Sequence, residues 1–124
     1  MMSPSASSDS VYKILIVDDD IHTRSALVRL LSEKAVVSAA SGAYEALDIL
    51  GQGRFDAVLT DYKMPERDGV WLLAQVRSLH PAVRRFLISG LLPSNVEQLV
   101  EGGLVHKAVD RTWPRDEILS LVGS

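Results

Sequence analysis

The sequence predicts an α/β domain in which a parallel sheet of five strands is doubly wound, with helices on both faces. Short apolar runs alternate with segments whose apolar residues recur at helical spacing. The first run, residues 11–17, is continuous and contains several β-branched residues, which is typical of a strand covered on both faces. Five such strands alternate with five helices, and this order indicates parallel strands joined by crossover helices.

Length and composition exclude several classes of protein. A chain of 124 residues is expected to form one domain, over residues 11–124, after a serine-rich and disordered tail over residues 1–10. The net charge of −3 argues against a direct nucleic-acid partner, and no apolar run approaches the ~20 residues of a membrane span. The amino terminus lacks the apolar core of a secretory signal, and the absence of cysteine excludes disulfides and thiolate sites. We therefore expect a cytoplasmic protein.

The positions of the apolar residues predict the first strand and the first helix. Residues 11–17 end at three consecutive aspartates. Leucines then recur at helical spacing over residues 21–34. The last aspartate of the three, Asp20, is suited to cap that helix, because aspartate is a preferred N-cap residue.

The next three elements are short. A strand is predicted over residues 36–39, and Ser41 is suited to cap a helix that runs to residue 50. Glycines stop that helix just beyond its last residue. A third strand over residues 55–60 ends at Asp61.

Three helices and two strands complete the predicted fold. A helix over residues 69–79 precedes a strand over residues 84–88. Residues 94–97 have the capping-box pattern, and the helix they open ends at two glycines. A weaker strand over residues 104–109 precedes a last helix, whose first position suits Pro114. The apolar face of the helix at 69–79 consists of Leu72, Leu73, Val76 and Leu79.

Reactive polar residues end four of the predicted strands. They are the aspartates at 18–20, Asp61, Ser89 and, after the fifth strand, Arg111. Sites in open parallel sheets form at the carboxyl ends of the strands, so we expect these side chains to meet. A cap or a turn explains any one of them alone, whereas all four together favour a shared site.

This set of residue types predicts phosphoryl chemistry assisted by Mg²⁺. Crowded carboxylates repel one another, and a hard divalent cation relieves that repulsion. Mg²⁺ takes carboxylate and phosphate oxygens as ligands. A carboxylate can also act as a nucleophile, and a nearby cation would neutralise the transferring group.

Two stretches resemble the receiver domain of two-component response regulators: KILIVDDD at 13–20 and DAVLTDYKMPERDG at 56–69. The second is the more specific, because an aspartate closes an apolar strand and is followed by Met-Pro and then by Asp-Gly. The resemblance extends from about residue 13 to residue 122. It implies a flavodoxin-like fold with five helices and the strand order 2-1-3-4-5.

The same resemblance implies a role for each site residue. Asp61 would be the phosphoacceptor. Mg²⁺ would be held by Asp18, Asp19, Asp61 and the backbone carbonyl of Lys63. Ser89 would hydrogen-bond the phosphoryl oxygen and move when Asp61 is modified.

The fifth strand departs from the family pattern, which has a lysine followed by proline and an aromatic residue. Lys107 is the only lysine available there, but Arg111 has the better spacing from Ser89 and lies two residues before Trp113. We therefore place Arg111 at the lysine position and expect Lys107 to be exposed. Ala108 then stands where the family has its switch aromatic residue, so the usual aromatic coupling to Ser89 is lost.

The resemblance also implies partners. A histidine kinase or a phosphotransfer protein would be the donor, and an output domain or a downstream protein would respond. The responding surface would consist of the fourth helix, the fifth strand and the fifth helix. No external substrate would be turned over, and a homodimer is left open, as is whether the chain stands alone.

Two other functions remain open. A degenerate receiver would bind proteins without phosphorylation, a hypothesis that rests on Arg111, Thr112 and Ala108. A haloacid-dehalogenase-like phosphohydrolase would use Asp18 and Asp20 as its nucleophile and acid/base pair, with Ser89 as the phosphate-binding hydroxyl. The two phosphoryl-transfer hypotheses differ in which aspartate is modified.

Five residues outside this set are interpreted separately. Trp71 lies off the apolar stripe of its helix and is either exposed to a partner or covered by a neighbouring loop. Trp113 is expected to pack at the start of the last helix. His22 is interpreted as solvated, and Arg84 and Arg85 as a solvated strand start.

Overall fold

A computed structural model of the chain describes residues 11–122, so the predicted tail at 1–10 lies outside the described residues. The strands are β1 (Lys13–Val17), β2 (Val36–Ala40), β3 (Ala57–Thr60), β4 (Arg84–Ser89) and β5 (Lys107–Asp110). The helices are α1 (Ile21–Leu31), α2 (Ala43–Gln52), α3 (Gly69–Leu79), α4 (Val96–Glu101) and α5 (Arg115–Leu119). Within residues 11–122, every helix is too short or too polar to cross a membrane.

All five strands join one parallel sheet in the order β2-β1-β3-β4-β5. The strand β1 is an interior strand, and its Leu15 pairs with Ser38 on one side and with Val58 on the other. The chain order reverses between β1 and β3, where doubly wound folds place their ligand sites. The predicted fold class, strand order and helix number are confirmed.

Apolar layers cover both faces of the sheet. Leu15 and Val17 point to the layer beneath α2 and α3, whereas Ile14 and Ile16 point to the layer beneath α1 and α5. Because both faces are covered, β1 is an almost unbroken apolar run. The first polar residues after this buried run are the aspartates at the carboxyl end of β1, where a site can form.

Two helix starts differ from the predicted ones in their capping. Ser41 does not cap α2, because Gly42 is the N-cap and Ser41 instead donates from N–H (2.7 Å) and Oγ (2.9 Å) to Oε1 of Glu45. The predicted capping box of α4 is not formed, since the N-cap is Asn95 and its side chain makes no capping bond. Pro114 is the N-cap of α5 rather than its first residue.

The strand predicted from residue 104 begins at Lys107 instead. Gly103 has a φ of +82°, a left-handed conformation that glycine adopts without strain. The N–H groups of Leu104 and Val105 both donate to the carbonyl of Leu99 at 3.1 Å. These residues therefore close the end of α4 before the chain enters the sheet.

Two predictions about burial were wrong. Leu79, predicted on the buried face of α3, is 61% exposed, because it is the last residue of the helix. Arg85, predicted to be solvated, is only 5% exposed. Its guanidinium donates to the carbonyls of Leu104 (2.8 Å), Gly103 (2.9 Å) and Val83 (3.2 Å), so the turns before β4 and before β5 satisfy its charge.

Candidate functional site

Three carboxylates converge at the edge of the sheet where β1 and β3 end. One oxygen from each of Asp18, Asp19 and Asp61 lies within 4.8 Å of the other two. Asp18 is 0% exposed and Asp61 is 7% exposed, whereas Asp19 is exposed. The backbone N–H of Asp61 donates to the carbonyl of Val17 at 2.9 Å. The pairing of β1 with β3 therefore holds the carboxylates of Asp18 and Asp61 close together.

Asp18 has a buried oxygen that accepts no hydrogen bond within the described residues. Its Oδ1 accepts from the N–H of Asp20 at 2.9 Å, but its Oδ2 is buried and has no hydrogen-bond partner among residues 11–122. Burial raises the pKa of the Asp18 carboxyl, and the charge of Asp61 adds to this, while the Asp20 N–H acts against it. A buried carboxylate oxygen without a hydrogen bond, beside two further carboxylates, fits a divalent cation such as Mg²⁺.

The loop after β3 folds back onto Asp61. Oδ1 of Asp61 accepts from the N–H of Tyr62 at 2.8 Å, and the carbonyl of Tyr62 accepts from the N–H of Gly69 at 2.7 Å. A Cβ at residue 69 would lie 2.1 Å from the carbonyl oxygen of Asp61, so only glycine fits there. Asp68 caps α3 by accepting from the N–H of Trp71 at 2.8 Å. These contacts give the Asp-Gly pair a structural reason that the sequence analysis did not supply.

Arg111 is the cation that reaches the carboxylates. Its Nη2 lies 3.2 Å from Oδ1 of Asp61 and 3.7 Å from Oδ2 of Asp18, with the side chain 39% exposed. Its N–H donates to the carbonyl of Ser89 at 3.1 Å, which ties the end of β5 to the end of β4. Lys107 begins β5 and is exposed, with its Nζ 5.7 Å from the centre of the Trp113 ring. The structure thus places Arg111, and not Lys107, at the cluster.

Ser89 is the last residue of β4 and is buried. Its Oγ accepts from the N–H of Leu91 at 3.3 Å, so the hydroxyl also contacts the loop that leads to α4. Ala108 pairs with Leu87 in the sheet and lines an open groove of about 910 Å³ between α4 and β5. Lys63 lies in the loop after β3, and the role of its carbonyl stays a prediction.

Asp20 caps α1, as the sequence analysis favoured. Its Oδ2 accepts from Oγ1 of Thr23 at 2.6 Å and from the N–H of Thr23 at 3.2 Å. These two bonds lower the pKa of the Asp20 carboxyl. Asp20 is therefore committed to the helix start, which gives no support to an acid/base role as in the phosphohydrolase hypothesis.

The sequence analysis missed Arg24. This residue lies on α1, and its Nη1 donates to the backbone carbonyl of Asp18 at 2.7 Å. Nothing in the sequence distinguishes it from a solvated helix arginine such as Arg29. His22 is exposed beside the cluster, as expected.

The two tryptophans lie away from the carboxylates. The Trp71 ring lies 5.5 Å from the Tyr44 ring and 5.1 Å from the Arg67 guanidinium, whose Nε donates to the Tyr44 hydroxyl at 3.0 Å. Neighbouring side chains thus cover Trp71 in part, which agrees with the second of its two readings. Trp113 packs against the apolar layer beneath α1 and α5, just before α5 begins, as predicted.

Comparison with known proteins identifies the family of the chain. Residues 14–122 match the family described as the response regulator receiver domain. The hydrogenase transcriptional regulatory protein HoxA of Bradyrhizobium diazoefficiens is 33% identical over 111 residues, which cover 88% of this chain and 23% of that protein. The HoxA protein of Cupriavidus necator is 32% identical, with 93% of this chain and 24% of that protein covered. The chain therefore spans about a quarter of the length of these relatives.

A solved receiver-domain structure is also similar to this chain. The signal receiver domain of NarL from Mycobacterium tuberculosis superposes with a TM-score of 0.78 at 30% identity, covering 90% of this chain and 92% of that chain. The match to the family extends over nearly all of the described residues, including every element of the site. The chain belongs to the response regulator receiver domain family.

Proposed function

We propose that this receiver is a phosphorylation-controlled signalling module that accepts a phosphoryl group on Asp61 with the assistance of Mg²⁺. The observation that carries the proposal is the convergence of three carboxylates within 4.8 Å, with a guanidinium nitrogen 3.2 Å from Asp61. Asp18, Asp19, Asp61 and the Lys63 carbonyl would hold the ion. When bound, Mg²⁺ would neutralise the negative charge of the transferring group.

The nucleophile needs no base, because the Asp61 carboxylate attacks in its ionised form. A carboxylate oxygen of Asp61 attacks phosphorus, and the bond from phosphorus to the donor breaks, with the leaving group keeping the electron pair. With acetyl phosphate the broken bond is P–O and acetate leaves. With phosphohistidine the broken bond is P–N, and the imidazole leaves as a neutral ring because its other nitrogen carries a proton. Oδ1 of Asp61 already accepts from Tyr62 N–H and from Arg111, so we assign the attack to Oδ2.

Arg111 and Ser89 are the groups that would meet the arriving phosphoryl oxygens. A guanidinium donates charge-assisted hydrogen bonds to phosphate, and its place beside Asp61 suits an oxygen that gains charge in the transition state. The Ser89 hydroxyl would donate to a second oxygen. Histidine kinases or phosphotransfer proteins are the proposed donors, and the chain would modify itself without turning over an external substrate.

Modification would be transmitted to the surface formed by α4, β5 and α5. Rotation of the Ser89 hydroxyl toward the phosphoryl group moves the acceptor of the Leu91 N–H, and with it the loop before α4. Ala108 has no ring that could turn inward, so this loop is the remaining connection. An output domain or a downstream protein would recognise the altered surface.

A second candidate is a receiver that acts without phosphorylation. The favouring observation is that Arg111 already pairs with both Asp61 and Asp18, so that part of the negative charge is satisfied within the chain. Such a protein would present its surface to a partner in a single state.

Intact mass after incubation with acetyl phosphate and Mg²⁺ tests the proposal. We expect one added phosphoryl group, which is lost in Asp61→Asn and in the presence of EDTA. Asp48→Asn, on the exposed side of α2, is the matched control and should be modified normally. Borohydride reduction, which converts an aspartyl phosphate to homoserine, locates the modified residue.

Three results would contradict the proposal. No modification would favour the phosphorylation-independent receiver. Modification of Asp18 instead of Asp61 would favour the phosphohydrolase. Modification that persists in EDTA would contradict the assistance of Mg²⁺.

A further inference from the structure

Arg24 connects α1 to the end of β1. Its Nη1 donates to the carbonyl of Asp18 at 2.7 Å, while its own N–H makes the ordinary helical bond to Asp20 at 2.9 Å. The N–H of Asp18 donates to the carbonyl of Ala40 at 3.1 Å. Both backbone polar groups of Asp18 are thus held, one by the sheet edge and one by the guanidinium of Arg24.

The charge of Arg24 also acts on Glu45, in the first turn of α2. Oε1 of Glu45 accepts from the N–H and the hydroxyl of Ser41, and these bonds, with the charge of Arg24 as a smaller cause, lower the pKa of the Glu45 carboxyl. Glu45 is therefore an anion near Arg24.

We propose that Arg24 is a positioning residue of the metal site, which holds the Asp18 carbonyl so that the carboxylates of Asp18 and Asp19 stay directed at Asp61. The carbonyl belongs to the peptide unit that leads into Asp19, so its rotation would move both carboxylates. Residues that hold metal ligands in place commonly change metal affinity 10–100-fold when they are lost. This inference rests on the proposed assistance of Mg²⁺, and adds that a residue outside the ligand set determines the affinity.

The charge of Arg24 and its positioning role predict opposite effects on Mg²⁺ affinity, so the two can be distinguished. A guanidinium close to the carboxylates repels a divalent cation. If charge alone mattered, removal of Arg24 would tighten Mg²⁺ binding. If the hydrogen bond to Asp18 positions the site, removal weakens binding in spite of the lost repulsion.

Calorimetric titration of the unphosphorylated chain with MgCl₂ distinguishes the two. We expect Arg24→Met to raise the Kd for Mg²⁺ about tenfold. Arg24→Lys should recover part of the affinity, because an ammonium can still donate to the carbonyl. The matched control is Arg29→Met, on the exposed side of the same helix, which should bind Mg²⁺ as the wild type does.

Two further readouts keep the test independent of stability. Thermal unfolding without Mg²⁺ reports whether each variant is folded, and Arg24→Lys carries the test if Arg24→Met is not. The amide ¹H–¹⁵N resonance of Asp20, whose N–H donates to Oδ1 of Asp18, should shift in both Arg24 variants and not in Arg29→Met.

Unchanged or tighter Mg²⁺ binding in folded Arg24 variants would overturn the positioning role and leave the proposed function standing. Equal weakening in Arg29→Met would overturn it as well, because the effect would then not depend on the Asp18 carbonyl. A wild-type chain that binds no Mg²⁺ would overturn the positioning role together with the metal-assisted function.

Discussion

Arg111 and Asp61 form an ion pair across the end of the sheet, with Nη2 of the first 3.2 Å from Oδ1 of the second. The same nitrogen lies 3.7 Å from Oδ2 of Asp18. The guanidinium therefore lies among the oxygens that a divalent cation would use. Cation and guanidinium compete for one set of carboxylates, whereas both would stabilise an arriving phosphoryl group.

Arg111→Ala should separate these two effects. We expect Mg²⁺ to bind several-fold more tightly, because a competing positive charge is removed. The rate of modification by acetyl phosphate at saturating Mg²⁺ should fall about 10²-fold, as when one charge-stabilising donor is lost. Calorimetry and timed intact-mass measurements give the two numbers.

Arg111→Lys should keep most of the rate, since lysine also binds phosphate as a point charge. Arg115→Ala is the control, because Arg115 begins α5 and pairs on the surface with Glu33, just after α1. Weaker Mg²⁺ binding in Arg111→Ala would show that the guanidinium supports the metal site instead of competing with it.

Gly69→Ala should destabilise the protein and impair modification. The new methyl group would lie 2.1 Å from the Asp61 carbonyl oxygen, so α3 or the end of β3 must shift. Overpacking of this kind costs about 1–3 kcal/mol of unfolding free energy, which urea unfolding measures.

Gly51→Ala is the matched glycine variant. Gly51 lies within α2 and nothing approaches its Cβ position within 4 Å, so alanine should stabilise that helix by about 0.5–1 kcal/mol. Two glycine variants with opposite signs would support the close approach. A neutral Gly69→Ala would contradict it.

His106 should make stability depend on pH. Its Nδ1 accepts from the N–H of Arg85 at 2.9 Å, which requires that nitrogen to be unprotonated. Partial burial, with the charges of Arg85 and Arg84, holds the pKa of His106 below its usual 6.5. The unfolded chain therefore takes up the proton more readily, so this contribution is complete above pH 6.5 and is lost as the pH falls through the folded-state pKa.

His106→Asn is the variant that checks this dependence, because its amide oxygen can replace Nδ1 as an acceptor without titrating. Wild type and variant should have similar Tm values near pH 8. Between pH 7 and pH 5 the wild type should lose a few degrees more than the variant. Parallel pH profiles would exclude His106 as the titrating group.

Asp20 should matter for the helix start and not for chemistry. Asp20→Ala removes the acceptor of Thr23 and should lower the Tm by a few degrees, whereas Asp20→Ser keeps a capping oxygen and should lower it less. Both variants should still be modified on Asp61. Loss of modification in the folded Asp20→Ser variant would restore the acid/base role that the phosphohydrolase hypothesis gives to this residue.

The sheet could be predicted because buried strands are apolar runs. In β4 the residues between Arg85 and Ser89 are all apolar and buried. The hydrogen bonds of Ser41 could not be predicted in this way, and the capping role expected for it was wrong. A hydroxyl before a helix can accept from the helix or donate to a glutamate in its first turn, and Glu45 supplies that alternative.

Some residues of the site could be predicted from the sequence, and others could not. Asp18, Asp61 and Arg111 follow strand ends, and parallel topology brings strand ends together. The contact of Arg24 with the Asp18 carbonyl depends on how a long side chain folds back from a helix, which no spacing encodes. The need for Gly69 depends on the path of a loop in three dimensions, and so does the burial of Arg85 beneath two turns.

The helix α4 has six residues, none of them buried, and its N-cap makes no side-chain bond. Amide hydrogens of such a helix exchange with solvent through local opening, at a small fraction of the free energy needed to unfold β1. Displacement of the neighbouring loop by Ser89 would then change the fraction of molecules in which α4 is open. A partner that binds only one of these two populations would respond to the fraction of molecules in which α4 is open. Under the proposed function, that fraction would change gradually with the extent of phosphorylation.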